Sequence, residues 1–147
     1  MHLRIQFVIF TLAVIITLPV TAQSYQCDPK LRFRTPTEVL VDHRAALSAH
    51  DWNAVGCNYS RRAVVISDQG VDQGREEIVS SLQYLVFLFG GVMPVITDEV
   101  ATGSLVRVLF TLDIGWLQIP DGTDTYIIKY GRIVQQTSHG VGIVVTP

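Results

Sequence analysis

Apolar residues recur with helical spacing in two stretches of the chain. In the first, at about residues 36–49, positions three and four apart form one stripe: Val39, Leu40, His43, Ala46 and Leu47. In the second, at about residues 75–89, the stripe consists of Ile78, Val79, Leu82, Leu85, Val86 and Phe89. The end of the second stretch is apolar on all sides, which predicts burial in a large core, in an oligomer interface or at the mouth of an apolar pocket.

Helix-start signals support these assignments. Thr35 and Glu38 have the spacing of a capping box, and Pro36 stands at the first helical position, where its missing N–H costs nothing. Asp51 is a favourable N-cap for a short second helix that extends to about Tyr59. The pattern therefore predicts three helices.

Strand patterns occupy most of the remainder. Residues 63–67 are mainly β-branched and apolar, and residues 105–114 alternate between apolar and mixed positions. The apolar face of the second segment consists of Val106, Val108, Phe110, Leu112 and Ile114. On its other face, Arg107 and Asp113 are expected to pair.

The chain between and after these strands is divided by Gly and Asp. Residues 68–74 are predicted to form a loop, and residues 120–122 a turn. A hairpin is predicted across Gly131, followed by a last strand at residues 141–145. Three helices followed by antiparallel strands predict an α+β fold.

The first residues have the features of a secretory signal. Arg4 precedes an apolar run, and Val20-Thr21-Ala22 fits a cleavage site. The alternative is a membrane anchor, but a run of this length, interrupted by Pro19, is short of the ~20 residues that span a bilayer. We expect residues 1–22 to be a signal peptide, residues 23–34 an extended arm and residues 35–147 one domain. The protein is then secreted or periplasmic, with no membrane segment after cleavage.

Net charge limits the classes of binding partner, and the cysteine content indicates the redox compartment. The formal net charge of −2 excludes a nucleic-acid footprint, and the cluster of Lys30, Arg32 and Arg34 is expected to be a solvated edge. Cys27 and Cys57 permit one disulfide in an oxidising compartment, and the alternative is two unpaired thiols. A glycosylation sequon at residues 58–60 overlaps a predicted helix and is interpreted as a chance match.

No motif for a cofactor, a nucleotide or a catalytic serine is present, and neither H-E-x-x-H nor a cysteine cluster indicates a metal. We therefore expect no cofactor and no metal. A site built from histidine and aspartate outside these motifs stays open. His50 is expected to be exposed at a turn between helices, and the pattern gives no account of His139.

Several short motifs resemble the SnoaL-like branch of the nuclear transport factor 2-like (NTF2-like) superfamily. They are His50-Asp51-Trp52, the strand entry Tyr59-x-x-x-Ala-Val-Val-Ile, the helix start Gly74-Arg-Glu-Glu-Ile, Asp124-Thr-Tyr126, and the turn Tyr130-Gly-Arg-Ile133. The resemblance spans about residues 35–145. That superfamily includes ketosteroid isomerase, scytalone dehydratase and polyketide cyclases. The resemblance implies a curved, mostly antiparallel sheet wrapped around three helices as a cone with one open end, and often a homodimer.

The resemblance also implies candidate site residues. Ketosteroid isomerase uses one Asp as general base, with a Tyr and a protonated Asp as its oxyanion hole. His43 stands in the place of that Tyr, Ser67 or Asp68 in the place of the base, and Asp124 in the place of the protonated Asp. The catalytic candidates are thus His43, Asp68 and Asp124, with His43 as base and Asp124 orienting it. Candidates for the ligand-binding wall are Trp52, Tyr59, Trp116 and Tyr126.

Each candidate also has a structural interpretation. A histidine on an apolar stripe is often a core residue bonded to a backbone carbonyl, and an Asp such as Asp68 in a Gly-rich segment is often a turn former. Two functions follow. The first is a cofactor-free isomerase, dehydratase or cyclase that acts on a small apolar carbonyl compound. The alternative is a non-catalytic module that binds a small ligand or forms a dimer.

Overall fold

The structure, a computed structural model, describes residues 24–145. The predicted signal peptide, residues 1–22, lies outside these residues. Within the described range, no helix is both long and apolar enough to cross a membrane.

Residues 24–145 contain three α-helices, as predicted: α1 (Pro36–Ser48), α2 (Trp52–Asn58) and α3 (Gly74–Leu88). The capping box of α1 is confirmed, because the Thr35 hydroxyl accepts from the Glu38 amide and the Glu38 carboxylate accepts from the Thr35 amide at 2.7 Å. Asp51 caps α2 by accepting from the amide of Ala54. All members of the predicted stripe of α1 are buried: Val39, Leu40, His43, Ala46 and Leu47.

In the described part of the chain, seven strands form one sheet in the order β2-β1-β6-β5-β4-β3, with β7 paired to β5. Their bounds are β1 (Tyr59–Ser67), β2 (Gly70–Gln73), β3 (Val95–Thr102), β4 (Leu105–Asp113), β5 (Leu117–Lys129), β6 (Arg132–Val141) and β7 (Val144–Val145). Only the β1–β6 pair is parallel among the described strands. The α+β class is therefore confirmed, with a mostly antiparallel sheet.

The alternation of β4 places its predicted apolar face inward. Val106, Val108, Phe110 and Leu112 are buried on this face, whereas Ile114 follows the end of β4 and is half-buried. The expected pair of Arg107 with Asp113 is wrong, since Arg107 instead bonds Asp98 on the neighbouring strand β3 at 3.0 Å.

Two predicted irregular segments are strands. The predicted loop at residues 68–74 contains β2, which pairs antiparallel with β1 across a tight turn. The predicted turn at residues 120–122 lies inside β5, at a register shift against β4. A bulge tolerates Pro120, which lacks a ladder donor. Gly122 fits because a Cβ there would collide with the ring of Phe110.

The segment before α1 is anchored to the domain rather than extended. A short 3₁₀ helix, Pro29–Phe33, replaces the predicted arm and begins at Asp28, whose carboxylate accepts from the Lys30 amide. The predicted disulfide between Cys27 and Cys57 is present and ties this segment to α2.

Arg34 corrects the prediction that the basic cluster is a solvated edge. Its side chain is only 12% exposed and donates to Asp42 at 2.8 Å, to Asn58 at 2.7 Å and to the carbonyl of Gly131 at 2.8 Å. Asn58 is 2% exposed. A buried Asn whose oxygen already accepts from Arg34 has no room for a glycan, which supports the interpretation of the sequon as a chance match.

Candidate functional site

A cavity of about 800 Å³ lies between the inner face of the sheet, α1 and α3. This is within the range of small-molecule sites, roughly 300–1,000 Å³. Its walls are mostly apolar and include Leu40, Val65, Ile78, Leu82, Val108 and Phe110. The apolar end of α3 contributes Leu85, Val86, Leu88 and Phe89 to the lining, whereas Phe87 is 82% exposed. The predicted position beside an apolar pocket is confirmed, and the oligomer interface stays a prediction.

Five polar side chains in the lining form a polar cluster: His43, Tyr59, Gln136, Tyr126 and Asp124. They are joined in a chain of hydrogen bonds. The Tyr59 hydroxyl lies 3.4 Å from Nε2 of His43 and donates to Oε1 of Gln136 at 2.7 Å. Nε2 of Gln136 donates to the Tyr126 hydroxyl at 3.4 Å, and that hydroxyl donates to Oδ2 of Asp124 at 2.8 Å.

The polar cluster is assembled by strand register. Asp124 and Tyr126 are two residues apart on β5 and therefore share the inner face. On β6, Ser138 stands opposite Asp124 and Gln136 stands opposite Tyr126. His43 approaches this face from α1, and its ring contacts the ring of Tyr59 edge-on at 5.3 Å.

Burial shifts the protonation equilibria of the cluster. It lowers the pKa of His43 to about 4, with Arg44 and Arg34 acting in the same direction, so this imidazole is neutral at neutral pH. Burial raises the pKa of the Asp124 carboxyl, while the hydroxyls of Ser138 and Tyr126 act in the opposite direction. The pKa values of the phenols of Tyr59 and Tyr126 are also raised, so both remain neutral.

Two polar atoms of the cluster lack a hydrogen-bond partner among residues 24–145. They are Nδ1 of His43 and Oδ1 of Asp124, and both are buried. An unsatisfied buried polar atom costs about 1–3 kcal/mol, which a ligand bearing the complementary group would offset.

The predicted pairing of His43 with Asp124 is wrong. Two tyrosines and Gln136 stand between them in the hydrogen-bonded chain, and the carboxylate bonds Tyr126. The structural interpretation of His43, in which its ring bonds a backbone carbonyl, is also wrong, since the ring contacts the Tyr59 hydroxyl instead. Among the described residues, no group of three His, Cys, Asp or Glu side chains is arranged to hold a metal.

No protein-family model matches the chain, and no curated protein does. Solved structures match well: an NTF2-like protein of unknown function from Cytophaga hutchinsonii is 13% identical, with a TM-score of 0.62 over 72% of this chain and 89% of that one. IdmH from Streptomyces antibioticus, a candidate polyketide cyclase, is 16% identical, with a TM-score of 0.60 over 71% and 91%. A candidate ketosteroid isomerase from Kribbella flavida is 14% identical, with a TM-score of 0.62 over 76% and 82%. The chain has the NTF2-like fold. At these identities the likeness shows the fold alone.

Asp68 reaches only the rim of the NTF2-like cavity. Its carboxylate bonds Nδ1 of His139 at 2.6 Å and the amide of Gly140 at 3.2 Å. The two side chains are 47% and 62% exposed, and the hydrogen bond from His139 lowers the pKa of Asp68. Asp68 and His139 both belong to the lining of the cavity, but both side chains are largely open to solvent. The expectation that Asp68 works beside His43 and Asp124 in a dry interior is therefore corrected, because turn geometry directs it to solvent.

The two tryptophans lie away from the cavity. Trp52 stacks on His50 at 5.9 Å between ring centroids, and Trp116 is 44% exposed in the turn before β5. Neither is among the residues that line the cavity, so their predicted place in the ligand-binding wall is wrong. Tyr59 and Tyr126 do line it. His50 is exposed, as predicted.

The sequence prediction missed Gln136 and Ser138. Both lie on the inner face of β6 in an NTF2-like sheet, and Gln136 is 7% exposed. No local signal marked them, because strict alternation from the buried Ile133 would bury positions 135 and 137, and only the irregular β5–β6 pairing next to Ile133 brings Gln136 to a buried position.

Proposed function

We propose that the cavity binds a small, largely apolar, enolisable carbonyl compound, and that Asp124 transfers a proton on it without a cofactor. The observation that carries this proposal is a carboxyl group that lines an apolar cavity, bonds a neutral phenol and has a pKa raised by burial. A general base works best when its pKa lies near the operating pH, and burial moves a carboxyl in that direction.

The other members of the cluster hold Asp124 and the ligand. Tyr126 donates to one carboxylate oxygen and fixes its orientation. His43 and Tyr59 are neutral and present no competing charge. Such an arrangement supports reactions in which a proton moves between carbon and oxygen: isomerisation, dehydration or cyclisation.

The test is the keto–enol interconversion of benzoylacetone, an apolar β-diketone whose enol is followed by absorbance. We expect wild-type protein to accelerate ketonisation over buffer, and Asp124→Asn to lose that acceleration by about 10²-fold or more, as for removal of a general base. The matched control is Asp98→Asn, which changes an exposed carboxylate on β3. A wild-type rate equal to buffer, or an unchanged rate in Asp124→Asn, contradicts the proposal.

A second candidate is a non-catalytic binding module. The observation in its favour is that Asp124 is the only Asp or Glu of the polar cluster, since Asp68 bonds His139 at the exposed rim. This candidate predicts that apolar compounds bind in the cavity, measured by calorimetry, with no acceleration of benzoylacetone ketonisation.

We also propose a homodimer that pairs through the outer sheet face. Val100 and Leu105, on β3 and β4, are 48% and 47% exposed there. Sedimentation at micromolar concentration tests this, with Leu105→Glu expected to yield monomers.

Secretion to an oxidising compartment is supported by the Cys27–Cys57 bond, and a thiol count on protein from its native host tests it.

A further inference from the structure

The phenolic protons of the polar cluster are both committed. A phenol has one hydroxyl proton, and that of Tyr126 is donated to Oδ2 of Asp124. The oxygen of Tyr126 then accepts from the amide nitrogen of Gln136. This fixes the amide so that its oxygen faces Tyr59, whose single proton it accepts at 2.7 Å.

The same logic fixes the tautomer of His43. Because the proton of Tyr59 is donated to Gln136, the Tyr59 oxygen can only accept from Nε2 of His43, 3.4 Å away. A neutral imidazole has one N–H, so Nδ1 carries a lone pair. The chain of hydrogen bonds therefore has one direction, set by the ionised carboxylate at its end.

This direction leaves acceptors unsatisfied. The two buried atoms of the polar cluster without a partner in the described chain, Nδ1 of His43 and Oδ1 of Asp124, are both acceptors in this state. The Ser138 hydroxyl stands opposite Asp124 on β6 but does not satisfy Oδ1. An apolar molecule with a carbonyl or ether oxygen at the cluster would add another acceptor, whereas a hydroxyl group would supply the missing donor.

We propose that the polar cluster, with Asp124 ionised, selects ligands that present a hydroxyl group to it: an alcohol, a phenol or the enol form of a carbonyl compound. This deepens the proposed function, and rests on its claim that the cavity is a ligand site but not on turnover.

The test compares 2-naphthol with 2-methoxynaphthalene, which has a similar shape but no hydroxyl proton. We expect calorimetry at neutral pH to show 2-naphthol binding at least tenfold tighter to wild-type protein. Equal affinities, tighter binding of the ether, or no binding of either overturns the proposal. Asp124→Asn is expected to reduce the preference below threefold, while Asp98→Asn retains it.

A second measurement needs no variant. The ¹⁵N chemical shifts of the His43 ring are expected to show a bare Nδ1 and a protonated Nε2, and the opposite tautomer overturns the argument. The outcomes also separate this proposal from catalysis. If 2-naphthol binds more tightly but benzoylacetone is not turned over, the selection of hydroxyl ligands stands and the proposed reaction is contradicted. If benzoylacetone is turned over but 2-naphthol is not preferred, the reaction stands and the selection of hydroxyl ligands is contradicted.

Discussion

Tyr126 donates a hydrogen bond to Asp124 from two residues further along the same face of β5, with 2.8 Å between the oxygens. The donor partly compensates a carboxylate that burial has deprived of water, but the pKa of Asp124 remains raised. The site thus keeps an ionisable group at a position where we expect an amide to give a more stable protein. Lower stability at a functional site is common.

Asp124→Asn is expected to stabilise the protein at neutral pH. The folded-state pKa is raised, so the carboxyl contributes stability only while it is protonated, and this contribution is lost as pH rises through the folded pKa. Urea denaturation at pH 7.5 should show a gain for the Asn variant that shrinks as pH falls towards 4. A loss of stability at pH 7.5 would contradict the account.

His43 is expected to make the fold sensitive to acid. Its pKa is lowered from 6.5 to about 4, so the unfolded chain takes up the proton first and stability falls as pH decreases through this window. The loss amounts to about 3 kcal/mol, at 1.36 kcal/mol per pKa unit. Comparing His43→Gln with wild-type protein isolates this contribution, because the variant lacks it. His50→Gln, at an exposed position, should retain the full acid sensitivity.

Arg34→Met is expected to lower the free energy of unfolding by about 2–4 kcal/mol, since it removes charged hydrogen bonds and leaves the buried oxygen of Asn58 unsatisfied. Thermal and urea unfolding measure this. The matched control is Arg32→Met, which removes only an exposed contact with Phe33 and should change stability by about 0.5 kcal/mol or less. Similar losses in both variants would show that Arg34 is not an anchor.

Gly56→Ala is expected to displace the ring of Tyr25, because the added Cβ would collide with it. We expect a cost of about 1–3 kcal/mol, typical of overpacking. The double variant with Tyr25→Ala should be destabilised by less than the two single variants combined, since the collision is then absent. Additive losses in the cycle would mean that the two residues do not meet.

Replacing both cysteines by serine is expected to cost about 3–4 kcal/mol, because the bond closes a loop with a sequence separation of 30 residues. Denaturation of the oxidised protein and of the double serine variant gives the difference. Identical transitions would show that the disulfide contributes nothing to stability.

Local patterns predicted the helices and the two faces of β4. In α1, buried residues such as Val39 and His43 recur with the period of a helix. In β4, buried residues such as Val106 and Val108 recur at every second position, so one periodicity is enough to predict each element. Pro120 and the segment around Val71 were mispredicted as irregular because Pro and Gly usually interrupt a strand. A bulge accommodates Pro120 and a tight hairpin accommodates the segment around Val71. Both features depend on pairing with neighbouring strands, which a local pattern does not contain.

The site was only partly predictable for a related reason. The presence of His43, Tyr126 and Asp124 in the lining followed from matching positions, but their partners did not. Gln136 joins the two halves of the cluster through the β5–β6 register, which no local pattern encodes. The pairing of Asp68 with His139 spans 71 residues and likewise arises only from the sheet.

The central claim is that a carboxyl group with a raised pKa lines an apolar ligand cavity. The most direct measurement is an NMR titration of the ¹³C-labelled carboxyl of Asp124 in the intact protein. The account predicts a pKa above the ordinary Asp value of about 3.9, and loss of this signal in Asp124→Asn. A pKa at or below that value would mean that water or charge reaches the group, and would contradict the assignment of Asp124 as the acid–base residue.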